Sequence, residues 1–96
     1  MIDRSFTIGV SNAGSVTAMR SAAKPTARRA AAWTFVYAPG AGSNLHDPFG
    51  AYASRALAAQ GIATVRFQFP YMEAGRRGPD RPAVLEATWL AAIDAV

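Results

Sequence analysis

Apolar residues occupy every second position near the start of the chain: Phe6, Ile8 and Val10 alternate with Thr7 and Gly9. Period two is the pattern of a strand with one face on a core, so residues 5–10 are predicted as a strand. Ser11-Asn12-Ala13-Gly14 is rich in turn formers and reads as a hairpin connection. Alternation is weaker over residues 15–21, where Val16 and Ala18 or Met19 oppose Thr17 and Arg20, and it predicts a second strand. Residues 24–31 hold Pro25 and the pair Arg28-Arg29 and predict a surface loop.

Further along the pattern changes. Residues 33–38 (WTFVYA) and 62–69 (IATVRFQF) are nearly continuous apolar runs, the way strands buried on both faces read. Between them Phe49, Tyr52, Ala53, Ala56 and Leu57 recur at helical spacing. Asp47 can cap that helix, and Pro48 stands at the first helical position, where a missing N–H costs nothing. Gly61 sits where a helix-terminating glycine belongs. A strand, a helix and a strand in that order predict a parallel pair joined by a right-handed crossover. Pro70 stops the second run, and a long loop leads to a second helix from about Pro82, with Leu85, Trp89, Ala92, Ile93 and Val96 as its buried stripe.

The fold class is therefore α/β: a β-hairpin, then parallel strand-helix-strand-helix, with an incomplete sheet. The apolar pattern is still running at Val96, and a helix that covers a parallel sheet is normally followed by another strand. Residues 1–96 are thus expected to be the N-terminal portion of a single larger domain, since α/β domains of this kind usually exceed about 150 residues.

Composition narrows the function classes. Hydrophobic residues make up 51% and charged residues 17%, which supports a packed core rather than disorder. Cysteine is absent, which removes disulfides, thiol nucleophiles and cysteine metal sites and fits a reducing compartment. The formal charge is +4, but the arginines are scattered and no aromatics are interleaved as a base-stacking platform requires, so nucleic acid is not an expected partner. No stretch approaches the roughly 20 apolar residues of a membrane span, nor has the N-terminus an apolar run of signal-peptide length. A cytoplasmic protein without membrane association is expected.

The candidate chemistry lies in Val36–Gly50 (VYAPGAGSNLHDPFG), a bare loop between a strand and a helix. A Walker-type phosphate loop needs Gly-Lys-Ser/Thr, and no such lysine is present. A dinucleotide fingerprint needs a third glycine where Leu45 stands, and a carboxylate after the next strand, which ends Arg66-Phe67-Gln68-Phe69. Both phosphate readings fail on the residues that carry their chemistry. Two readings stay open. The loop can present backbone N–H groups to the oxyanion of an acyl-transfer intermediate, as a glycine loop after the third strand does, or it is a tight turn that lets the helix pack.

Downstream, Phe69-Pro70-Tyr71-Met72-Glu73, Gly75-Arg76-Arg77 and Asp80-Arg81-Pro82, with Gly40-Ala41-Gly42 and Asp47-Pro48-Phe49 upstream, resemble the α/β-hydrolase-fold family of the dienelactone-hydrolase-like kind. That family includes bacterial "alpha/beta family hydrolases" and the testis-expressed and nonspecific-lethal-complex hydrolase-like proteins of animals. The resemblance covers residues 33–96 well and residues 1–32 loosely. It implies a serine hydrolase acting on an ester or other acyl bond, with the triad in the order Ser, Asp/Glu, His, and needing no metal or organic cofactor. The serine would lie on a nucleophile elbow after a strand that follows the second helix. No G-x-S-x-G occurs in this chain, so no catalytic nucleophile, acid or base is expected within it, and the chain alone is expected to be inactive.

By the same resemblance Pro39 and Gly40 belong to the oxyanion loop, and Ala41 and Gly42 are the oxyanion-hole candidates. Many relatives carry histidine where Pro39 stands, and this departure leaves Ala41 as the best donor, with Gly42 behind it. His46 precedes every expected triad member, so it reads as a loop histidine at the mouth of a pocket rather than a base. Tyr71, Glu73 and Arg76 follow the C-terminal end of a strand, where open α/β sheets place their sites, and are candidates for pocket lining. The competing reading pairs Arg76 or Arg77 with Glu73 or Asp80 to tether a long loop. Trp89 and Phe49 are expected in the core. A small-molecule acyl substrate is the expected partner. The alternative is a non-catalytic hydrolase-like scaffold for protein interaction, because fold does not fix function.

Overall fold

A computed structural model describes residues 3–23 and 33–96. The loop expected at residues 24–31 lies outside the described residues. Strands β1 (Asp3–Val10) and β2 (Gly14–Ser21) form the hairpin, Asp3 opposite Ser21 and Val10 opposite Gly14. Its turn needs left-handed backbone, which Asn12 (φ 59°) and Gly14 (φ 78°) supply, the residue types that tolerate it best. Strand β3 (Thr34–Tyr37), helix α1 (Pro48–Ala59) and strand β4 (Ala63–Phe67) follow, and β3 pairs with β4 in parallel, Val36 beside Val65. Helix α2 (Pro70–Glu73) and helix α3 (Pro82–Asp94) complete the chain.

Strand order in the sheet is β1-β2-β4-β3. β4 is inserted between the hairpin and β3, antiparallel to β2, with Ala18 opposite Phe67. All five β4 residues are buried. β3 departs from its expected burial on both faces. Among the described residues it stands at the end of the sheet with a partner strand on one edge only, and Phe35 is 42% and the preceding Trp33 76% exposed.

Alternation along β4 sends Phe67 to one face of the sheet and Arg66 to the other. On the first face Ile8, Val10, Val16, Ala18 and Phe67 meet Ala92 of α3 in the main apolar core. Trp89, expected in the core, is 37% exposed and packs edge-on against Phe67 from outside the buried cluster, ring centroids 4.9 Å apart. The expected stripe on α3 is corrected in part: Thr88 and Ala92 are buried, whereas Ile93 and Val96 are exposed.

Helix α1 starts and stops as its sequence requires. The Asp47 carboxylate accepts the Gly50 N–H (2.8 Å) and Pro48 opens the first turn. At the other end Gly61 (φ 84°) donates to the Ala58 carbonyl and Ile62 to the Leu57 carbonyl, the pair of bonds that defines a glycine-terminated helix. Its buried face, however, is Gly50, Ser54 and Ala58. Phe49 and Tyr52 point outward, 64% and 63% exposed, so Phe49 is not a core residue. The small residues let the helix approach β4 closely. The large ones line an apolar groove of about 590 Å³ with Trp33, Phe35 and Ile62.

Candidate functional site

The chain leaves β3 at Tyr37 and makes two tight turns before α1. Pro39 is buried, while Gly40, Ala41 and Gly42 are exposed. Ser43 donates its N–H to the Gly40 carbonyl (3.1 Å), and Gly42 has φ 81°. A positive φ at the third position of a four-residue turn is the type II geometry, which only glycine adopts without strain. Among the described residues the N–H groups of Ala41 and Gly42 make no backbone hydrogen bond, and both residues are exposed.

The second turn is held from beneath. Leu45 is buried, yet both polar groups of its backbone are satisfied by side chains reaching up from the end of β4. Its N–H donates to Gln68 Oε1 (3.0 Å) and its carbonyl accepts from Arg66 Nη1 (3.3 Å). Arg66, 4% exposed, directs its other terminal nitrogen to Met19 Sδ (3.1 Å) and Asp3 (3.7 Å). Tyr37 donates its hydroxyl to Asp47 (2.9 Å). Burial, the bond to Asp47 and that carboxylate's charge raise the phenol's pKa, outweighing the opposing pull of Arg66. The phenol therefore remains the donor to the helix cap at neutral pH.

The second wall follows β4. Pro70 opens α2, and Gly75 (φ 71°) closes it, with Gly75 donating to the Met72 carbonyl and Arg76 to the Tyr71 carbonyl. Asp80 accepts the Tyr71 N–H (2.9 Å) and pairs with Arg76 at 3.3 Å. Glu73 does not meet an arginine. It accepts the Thr17 N–H (2.7 Å), the Thr17 hydroxyl (2.9 Å) and the Gln68 amide (2.9 Å). Burial alone would raise the Glu73 pKa, but these three donors together hold it below its ordinary value. A carboxylate whose native pKa is lowered stabilises the fold above its unfolded pKa and loses that contribution as pH falls through the native value.

Between the walls lies an open cleft of about 480 Å³, lined by Gly42, Ser43, Asn44, Tyr71, Met72, Gly75, Arg76 and Arg77. Of the candidate residues, Gly42, Tyr71 and Arg76 line it. Ala41 sits beside Gly42 in the same turn, and Pro39 and Gly40 lead into it. His46 is exposed, its N–H donating to Asn44 Oδ1 (2.8 Å), and it does not line the cleft. Glu73 is turned away into its bonds with Thr17 and Gln68. Sequence reasoning missed Gln68 and Arg66. Their signal was present, since two polar side chains interrupt an otherwise apolar strand and must find partners when buried.

Among the described residues no three of His, Cys, Asp and Glu gather in a way that holds a metal ion, and no helix is long and apolar enough to cross a membrane.

The family profile described as "Alpha/beta hydrolase domain" matches residues 31–96. Among solved structures, a lidless a/b serine hydrolase from Xanthomonas campestris superposes with a TM-score of 0.78 at 20% identity. The match covers 98% of this chain and 44% of that one, so the chain spans less than half the length of this neighbour, and at that identity the likeness is one of fold. No curated protein matches the chain significantly.

Proposed function

Since the chain belongs to the alpha/beta hydrolase domain family, we propose that it supplies the oxyanion side of a serine hydrolase acting on an ester or another acyl bond. The observation that carries the reading is the Gly40–Ser43 turn, in which the N–H groups of the exposed Ala41 and Gly42 make no backbone hydrogen bond among the described residues and Gly42 lines a cleft. In an acyl transfer the attacked carbonyl oxygen gains negative charge, and preorganised backbone donors stabilise it; loss of one such donor costs about 2.7–4 kcal/mol of barrier. Nucleophile, acid and base come from residues this chain does not contain.

The finer resemblance, to the dienelactone-hydrolase-like branch and its testis-expressed and nonspecific-lethal-complex relatives, rests on the motifs between Phe69 and Pro82 together with Gly40-Ala41-Gly42 and Asp47-Pro48-Phe49 upstream. Its residues have clear local duties: Pro70 starts α2, Gly75 ends it, and Asp80 fastens both Tyr71 and Arg76. The reading includes a small-molecule acyl substrate, no metal or organic cofactor, no nucleic-acid or membrane partner, and a cytoplasmic location in keeping with the absence of cysteine.

The test has two arms. Purified residues 1–96 should hydrolyse an activated ester no faster than buffer does. The reading frame beyond codon 96 should encode a strand and then G-x-S-x-G within roughly 10–25 residues, as a nucleophile elbow requires. An elbow with its serine replaced removes the hydrolase reading and leaves a hydrolase-like scaffold. Turnover by residues 1–96 alone removes the claim that the nucleophile lies elsewhere.

A further inference from the structure

The two walls of the cleft come from segments that make no regular secondary structure with each other. One is the glycine loop, the other α2 with its closing turn. One side chain hydrogen-bonds to both. Gln68, half-buried just past the end of β4, accepts the Leu45 N–H through Oε1 (3.0 Å) and donates through Nε2 to Glu73 Oε1 (2.9 Å). Glu73 is in turn anchored to β2 through the Thr17 N–H and hydroxyl.

The chemistry at this point is selective. One partner is a backbone N–H and requires an acceptor. The other is a carboxylate and requires a donor. At neutral pH a side-chain amide offers both from one carbon. A carboxylate in its place would keep the first bond and repel Glu73, and an apolar side chain would abandon both. The same partners fix the amide's orientation, because the reverse assignment would face N–H with NH₂ and carboxylate with carbonyl.

We propose that Gln68 is the positioning residue that sets the spacing of the cleft's walls, holding the glycine loop, at Leu45 in the turn that follows Ala41 and Gly42, at a fixed distance from Tyr71 and Arg76. Its importance for acyl transfer rests on the hydrolase reading above; the bridge itself does not.

The experiment is residue-resolved amide hydrogen exchange at neutral pH on the protein expressed from its complete reading frame, comparing the unaltered protein with Gln68→Met and Gln68→Glu. In the unaltered protein the Leu45 amide should be protected. Gln68→Met should speed Leu45 exchange by up to about tenfold, the scale of one hydrogen bond's net contribution, and should also loosen the Gly75 and Arg76 amides. Gln68→Glu should keep Leu45 protected while Gly75 and Arg76 exchange faster. That split is the decisive readout, because a side chain that only fills space would loosen both walls alike in both variants. Equal loosening, no loosening, or a Leu45 amide in the unaltered chain that exchanges like an unstructured peptide overturns the proposal. A replaced serine in the downstream elbow would end the hydrolase reading and leave these rates unchanged, so the two failures are told apart.

Discussion

At the scale of the residue, Gly50 shows how tightly the start of α1 is fitted. A Cβ there would lie 2.8 Å from Asp47 Oδ1, 2.8 Å from Tyr37 Cε2 and 3.3 Å from Arg66 Cδ. Asp47 Oδ1 and Arg66 Nε are already buried without partners among the described residues, so a methyl would crowd a polar pocket with little room to relax. Overpacking of this kind costs about 1–3 kcal/mol, against a helix-propensity gain of at most about 1 kcal/mol. Gly50→Ala should therefore lower the denaturation midpoint, and a variant as stable as the parent would show that Tyr37 and Asp47 can move. Glycine was visible in the sequence at this position, but its reason was not. The clash involves β3, β4 and the helix cap together, and no pattern within the helix reports it.

At the scale of the element, periodicity identified α1 and its ends but chose the wrong face. Large apolar residues at helical spacing usually mark the buried stripe. Here Gly50, Ser54 and Ala58 are buried and Phe49 and Tyr52 are not, and at Gly50 the side chains of Tyr37, Asp47 and Arg66 leave no room for a Cβ. Ala58→Leu should destabilise by about 1–3 kcal/mol, whereas Tyr52→Ser should stay within about 0.5 kcal/mol. Chemical denaturation of the two variants checks the assignment, and the reverse order would restore the aromatic stripe to the core. β3 and β4 read alike in sequence for a related reason. Apolar content shows that a strand is fit for the interior, while its place in the sheet decides how much of it is covered.

At the scale of the whole molecule, β3 leaves one edge of the sheet unpaired among the described residues, beside the groove of Trp33, Phe35, Phe49 and Tyr52. An unpaired edge next to exposed aromatics favours association between chains, and a lysine on such an edge opposes it. Sedimentation of residues 1–96 should show concentration-dependent association that Phe35→Lys reduces. Association unaffected by Phe35→Lys would place the contact elsewhere.

The hairpin, the capped and glycine-terminated α1, the strand that follows it and the motif from Pro70 to Pro82 were determined by the sequence itself. Each is governed by groups within a few residues of one another: alternation, a cap three residues from its donor, a glycine in left-handed backbone. The glycine loop was legible for the same reason. The order β1-β2-β4-β3, the edge position of β3 and the bond between Thr17 and Glu73, 56 residues apart, were decided only by the tertiary structure. So was the hold of Arg66 and Gln68 on Leu45. The physical reason is that a buried polar group must find a partner. The sequence shows that such a group exists, but only the packed chain brings the partner within reach.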